Sequence, residues 1–368
     1  MEHDLTPTFF RSPDGHEMAV YDLGGRGDPA LLCHCNGFHG PAYAPLASRM
    51  TGLFHVYAVD FRGHGASRGP MTTWEDPTYL TMADDLQGLI DARGWRGRVC
   101  VFGHSLGGAV VLSAEALRPG TFRAVFVYEA VLLTPAQKGA SGLRPPSLAG
   151  APQSEVGEAR GATNGGEKLA AFARSRLDAF ASVEDARAEL GSTKPFSHLD
   201  RRCLDAFIRY GLATREDPAF KAIFPDVGPA VEARRQTGQD TPPKPLAAST
   251  PPGERRVVWV RCPREVEARI YELAPGQERY QLFERLPAIK CPVAAARGRL
   301  TSGAHGALAE AAAWIVDQVS GPSRLFRFDD LFHMGPLESP DRVGDTVARW
   351  FAQWAPGAEA GAPTRSRM

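Results

Sequence analysis

The chain has 368 residues, with 42 Lys plus Arg balanced by 42 Asp plus Glu. That length is enough for one large core with a smaller appended unit, and the neutral charge balance gives no general reason to expect nucleic acid or an acidic partner. A small molecule is the expected partner.

In chain order, the segments 16–24 (HEMAVYDLG) and 30–34 (ALLCH), separated by the turn GRGDP, predict two strands. FHVYAVD at 54–60 predicts a third strand with a glycine-rich exit, and MADDLQGLIDARG at 82–94 a helix ending at Gly94. RVCVFGH (98–104) predicts a strand, LGGAVVLSAEAL (106–117) a helix and RAVFVYE (123–129) another strand. Such continuous apolar runs suit a parallel sheet covered on both faces.

The alternation breaks after Pro135, where 136–166 is rich in Gly, Pro, Ser and Ala and lacks apolar periodicity. Helical spacing follows at 167–182, 182–190 and 200–212, then a second polar stretch at 234–255. Sheet order returns at 292–298, with a helix at 306–321, a strand at 324–330 and a closing helix at 342–355. The division expected is a core of 1–133 and 289–355, a mainly helical cap at 134–288 and a tail at 356–368.

Cys33, Cys35, Cys100, Cys203, Cys262 and Cys291 are scattered, as buried reduced thiols are, and CHC at 33–35 is too short to hold zinc by itself. No metal is expected. The first 17 residues lack the apolar stretch of a secretory signal, and no run approaches the roughly 18 apolar residues of a membrane span. The expected location is the cytoplasm, or the peroxisome in a eukaryote if the terminal SRM serves as an address.

The chemistry is concentrated in VFGHSLGG. G-x-S-x-G between an apolar strand and an apolar helix puts Ser105 on a sharp turn that exposes its hydroxyl, with Gly103 and Gly107 allowing close approach. A serine hydroxyl is a weak nucleophile near neutral pH and needs a base. His333 in DDLFHMGPLESP, after the last predicted strand, is the candidate.

With these landmarks in order, the chain resembles the α/β-hydrolase family. HCNGFHG (34–40) is similar to its oxyanion loop, VDFRGHGAS (59–67) to its Asp-x-Arg-Gly-x-Gly-x-Ser segment, GHSLGG (103–108) to its nucleophile elbow and FHMGPLESPDRV (332–343) to its histidine loop. The resemblance implies an α/β fold with a mostly parallel eight-stranded sheet and a cap over its carboxyl edge. It also implies an oxyanion hole from the backbone N–H groups of Leu106 and Phe38, with Asn36 as the alternative in the longer early loop. Asp60, Arg62 and His64 are given no catalytic role.

Family members commonly carry the acid after the strand that precedes the histidine strand, but 298–303 reads GRLTSG and has no carboxylate. A second position used in the family follows the strand after the elbow helix, and there Glu129 is the only acid in VFVYEAVLL. Glu129 is therefore the expected orienting acid, with Asp317, Asp329 and Asp330 as fallbacks. A serine nucleophile disfavours dehalogenase and epoxide hydrolase chemistry, which the family performs with Asp.

The resemblance leaves esterases, lactonases, thioesterases and carbon–carbon bond hydrolases, all without a cofactor, and includes fungal peroxisomal lipase-like proteins. Phe172, Phe180, Phe196, Phe207, Tyr210 and Phe220 offer aromatic surface in the cap, either for an apolar substrate or for ordinary packing. The different-class alternative is a ligand-binding protein that retains Ser105 and His333 without an aligned acid. LRPPSL at 143–148 could also bind a protein as an extended segment, though a linker is the simpler account.

Overall fold

A computed structural model of the chain describes residues 4–69, 79–134, 145–148, 165–214, 217, 257–273, 281–301 and 306–355. Eight strands form the main sheet in the order β1-β2-β4-β3-β5-β6-β10-β11. They are β1 Thr8–Arg11, β2 Glu17–Gly25, β3 Pro29–Cys33, β4 His55–Val59, β5 Cys100–His104, β6 Ala124–Tyr128, β10 Val293–Gly298 and β11 Ser323–Phe328. Only β1 with β2 and β2 with β4 pair antiparallel; the remaining pairs are parallel. The one core strand that periodicity did not predict is β1, a four-residue edge strand exposed along most of its length.

Alternate residues of the central strands enter two cores, as the period of two requires. Leu31, Val101, Val125, Val127 and Val293 face α2 (Tyr79–Ala92), α3 (Leu106–Leu117) and a later helix at Gly306–Gln318, through Leu86, Ile90, Val110 and Ile315. On the opposite face, Leu32, Phe102, Phe126, Ala294 and Ala296 pack with Leu46 of α1 (Ala44–Ala47) and with Val343, Val347 and Trp350 of the last helix, Pro340–Ala352. Both faces being covered explains why β3, β5, β6 and β10 are buried at every position.

Between β6 and β10 lies a cap-like insertion with α4 (Gly165–Ser175), α5 (Val183–Ser192), α6 (Arg201–Gly211) and α7 (Arg264–Leu273). It also holds an antiparallel sheet of three short strands, β7 (Ala179–Phe180), β9 (Val258–Val260) and β8 (Leu212–Ala213), in that order. Strands of two or three residues have no periodicity for a sequence to display, so a mainly helical cap was the legible part. The Gly/Pro-rich segment at 234–255, most of 136–166, Phe220 and the terminal SRM lie outside the described residues. Among the described residues no helix is long and apolar enough to cross a membrane. All six cysteines are free thiols, five of them buried.

Candidate active site

Ser105 is the single residue between β5 and α3, and it adopts φ 54° and ψ −111°. Positive φ is costly for a residue with a side chain and persists only where the surroundings enforce it. Here Ser105 N–H donates to the Tyr128 carbonyl at 2.9 Å, and Val131 N–H donates to the Ser105 carbonyl at 3.2 Å. The flanking glycines make the turn possible. A Cβ at Gly103 would lie 2.7 Å from the Gly107 carbonyl oxygen, one at Gly107 would lie 2.3 Å from the Cys33 oxygen, and one at Gly108 would lie 2.6 Å from the Ala130 Cβ.

Glu129 repeats the device one strand away. His104 and Tyr128 are register partners at the ends of β5 and β6, so Ser105 and Glu129 are the next residues on adjacent parallel strands. Glu129 also has positive φ, 43°, and its N–H donates to the Ala296 carbonyl at 2.9 Å. Its completely buried carboxylate accepts His333 Nδ1–H on Oε2 at 2.7 Å. Oε1 accepts from Gly298 N–H at 2.8 Å and Thr301 Oγ1–H at 2.7 Å. The structure thus brings Glu129 and His333 together across 204 residues of sequence.

The fallback acids are engaged elsewhere. Asp317 accepts from Ser147 N–H, Asp329 faces Arg299, and Asp330 binds Arg342.

The histidine loop is held by its backbone. Tyr128 Oη–H donates to the Phe332 carbonyl at 2.8 Å, and His104 Nε2–H donates to the His333 carbonyl at 2.8 Å. Phe332 N–H in turn donates to Glu338 Oε2 at 3.1 Å. His104 must carry its proton on Nε2 to make this bond, which leaves Nδ1 to accept from Tyr43 Oη–H at 2.7 Å. Cys35 N–H closes the chain by donating to Tyr43 Oη at 3.2 Å. No motif singled out Tyr43, His104 or Tyr128; the available signal was that His104 and Tyr128 immediately precede Ser105 and Glu129.

Burial pushes His333 down to about 4, which keeps the imidazole neutral and its Nε2 unprotonated near neutral pH. With Nδ1–H committed to Glu129, Nε2 is the nitrogen able to take a proton.

Leu106 and the early loop are the expected oxyanion donors. Leu106 N–H is the first amide of α3, one of the helix's orphan donors, and has no acceptor among the described residues. In the early loop four amides are committed: Cys35 N–H to Tyr43 Oη at 3.2 Å, Gly37 N–H to His64 Nε2 at 3.1 Å, Phe38 N–H to the Cys35 carbonyl at 3.2 Å, and Gly40 N–H to Asp60 Oδ1 at 2.7 Å. Asn36 N–H has no acceptor among the described residues, while its side-chain amide donates to the Glu267 carbonyl of α7 at 3.0 Å.

The segment VDFRGHGAS supplies the supports for this loop. Asp60 accepts from Gly40, Ala66 N–H at 2.8 Å and Tyr21 Oη–H at 2.9 Å, and a Cβ at Gly65 would collide with its carboxylate. His64, lowered to about 4 by burial, is neutral and accepts from Gly37 while its Nδ1–H donates to the Arg62 carbonyl at 2.9 Å. Arg62 itself pairs with Asp85 and Asp14. These residues brace the loop.

Of the cap aromatics, Phe196 and Phe207 pack on the Phe38 ring with centroids 5.4 and 5.0 Å away, and Phe180 is buried in the same core. They join the cap to the early loop. Phe172 lies 49% exposed, and Tyr210 Oη accepts from Leu5 N–H at 3.3 Å.

The sheet order, the strained serine between β5 and α3, and the acid–histidine pair at the carboxyl edge give this chain an α/β-hydrolase fold. A family model described as serine aminopeptidase, S33, matches residues 30–156. Over 101 residues the chain is 38% identical to 2-(acetamidomethylene)succinate hydrolase of Mesorhizobium japonicum, a stretch covering 27% of this chain and only 35% of that relative.

Among solved structures, E-2-(acetamidomethylene)succinate hydrolase gives a TM-score of 0.62 at 18% identity, covering 95% of this chain and 100% of the other. A peroxisomal α/β-hydrolase of Saccharomyces cerevisiae gives 0.61 at 14% identity, covering 99% and 91%. These structural likenesses carry the fold.

Proposed function

We propose that the protein is a serine hydrolase that cleaves a carboxylic ester or lactone of a small apolar or aromatic substrate through an acyl-enzyme. The observation that carries this reading is the 2.7 Å bond from His333 Nδ1 to buried Glu129, beside a serine held at positive φ. Such a bond fixes the tautomer that leaves Nε2 as a base and stabilises the imidazolium formed in attack. Ser105 Oγ attacks the carbonyl carbon as His333 Nε2 takes its proton. The leaving oxygen departs with that proton, and a water deprotonated by the same nitrogen then hydrolyses the acyl-serine.

The developing oxyanion is received by Leu106 N–H and, in this reading, by Asn36 N–H. Asn36 takes the place expected for Phe38 because the Phe38 amide is bonded to Cys35. The steps require no metal or organic cofactor. The 134–288 segment, acting as the cap, selects the substrate, and the named relative supports hydrolysis of a small molecule. Cytoplasmic residence, or peroxisomal residence in a eukaryotic host, belongs to the same proposal and is checked by imaging a tagged chain.

The test is turnover of a panel of small esters and lactones by the intact protein and by Ser105→Ala. Serine-dependent turnover supports the proposal. Its absence across the panel, together with no labelling of Ser105 by a fluorophosphonate, returns the chain to the ligand-binding reading.

A further inference from the structure

The turn from Gly298 to Thr301 follows β10 and carries no acid, yet it lies against the catalytic pair. Thr301 N–H closes the turn on the Gly298 carbonyl at 3.3 Å. Arg299 N–H donates to the Phe328 carbonyl at 2.9 Å, and Leu300 N–H donates to the Leu331 carbonyl at 3.1 Å. The turn is therefore tied to the end of β11 and to the segment that delivers His333. A Cβ at Gly298 would lie 2.4 Å from the Leu331 oxygen and 2.8 Å from Tyr128 Oη, so only glycine lets the turn approach this closely.

From this anchored turn two donors converge on one oxygen of Glu129: Gly298 N–H at 2.8 Å and Thr301 Oγ1–H at 2.7 Å. We infer that Thr301 is a positioning residue, which fixes the rotation of the Glu129 carboxylate and tempers its charge so that Oε2 presents to His333 Nδ1. A glutamate has one more rotatable bond than aspartate, and holding only Oε2 would leave its carboxylate free to turn about the last of them. Holding Oε1 with a hydroxyl and an amide removes that freedom. The two donors also share the carboxylate's negative charge, which lowers its pull on a proton at His333.

This inference rests on the proposed serine hydrolase reading for its kinetic arm, but has a second arm that does not. Thr301→Val keeps the branched shape and removes the hydroxyl; Thr301→Ser keeps the hydroxyl. Thr301→Val is expected to lower kcat about tenfold, the scale of one hydrogen bond to a charged group, with KM unchanged within about twofold. Thr301→Ser is expected to restore most of the loss.

In parallel, the His333 ring is titrated by NMR in wild-type protein and in both variants, with no substrate present. The titration is expected to move to higher pH in Thr301→Val, because Glu129 then attracts the imidazolium more strongly, and to stay in place in Thr301→Ser. Full activity with an unmoved titration in Thr301→Val overturns the inference, as does a serine variant as impaired and shifted as the valine one. If the intact protein never reacts at Ser105, the hydrolase reading fails alone and the titration decides the role of Thr301: a shift confined to the valine variant upholds it, and no shift overturns it.

Discussion

His104, the residue before Ser105, donates its Nε2–H to the carbonyl oxygen of His333 at 2.8 Å. The side chain adjacent to the proposed nucleophile thus fixes the backbone of the proposed base, and Tyr128, adjacent to Glu129, does the same one residue earlier at Phe332. Each of the two strands that present a reactive group also supplies a clamp for the histidine loop.

Removing one clamp tests its value. Tyr128→Phe leaves the Phe332 carbonyl without its hydroxyl donor and is expected to cost about 1–2 kcal/mol of stability. His104→Phe also strands Tyr43 Oη and is expected to cost more, about 2–3 kcal/mol. Urea unfolding measures both. If activity is present, kcat is expected to fall, because the loop that is loosened carries the proposed base.

Glu129→Gln keeps the size of the side chain and removes the charge that fixes the His333 tautomer. The expected loss is about 10²-fold or more in kcat, with Ser105→Ala as background and circular dichroism to establish folding. Full activity in Glu129→Gln rejects the acid, whereas Asp317, Asp329 and Asp330 are engaged with Ser147, Arg299 and Arg342.

The pH dependence follows from His333, which burial lowers to about 4. In the proposed mechanism neutral imidazole is the active form, so kcat/KM is expected to fall as pH drops through about 4 and to be level from there to neutrality. The stability sign is the same. The unfolded ring takes a proton near its ordinary value of 6.5, so the His333 contribution is complete above that pH and is lost as pH falls towards 4. A pH–rate profile with its acid limb at or above the ordinary imidazole value of 6.5 means that burial does not lower His333.

Gly107→Ala tests the elbow. Its new Cβ meets the backbone carbonyl oxygen of Cys33 at 2.3 Å, and the clash cannot be relieved by a rotamer change. A loss of about 2 kcal/mol or more in stability is expected from urea unfolding, the scale of overpacking in a tight core. Wild-type stability in this variant means that the elbow has room that the contact distances deny.

The sequence by itself determined the parallel core and the serine elbow, because both are local. Runs such as VCVF and AVFVY are apolar at every position when a sheet is buried on both faces, and G-x-S-x-G-G describes a turn made of neighbouring residues. Glu129 was expected as well, but from the resemblance, as the only acid at the second position where the family carries one. The tertiary structure decided what depends on distant segments meeting: that Glu129 receives His333, that Gly298 and Thr301 hold the Glu129 carboxylate, and that Tyr43 and His104 tie the early loop to the histidine loop. The physical reason is hydrogen bonding in a buried polar cluster. Each donor there must find an acceptor, and which one it finds is set by the packing of strands far apart in sequence.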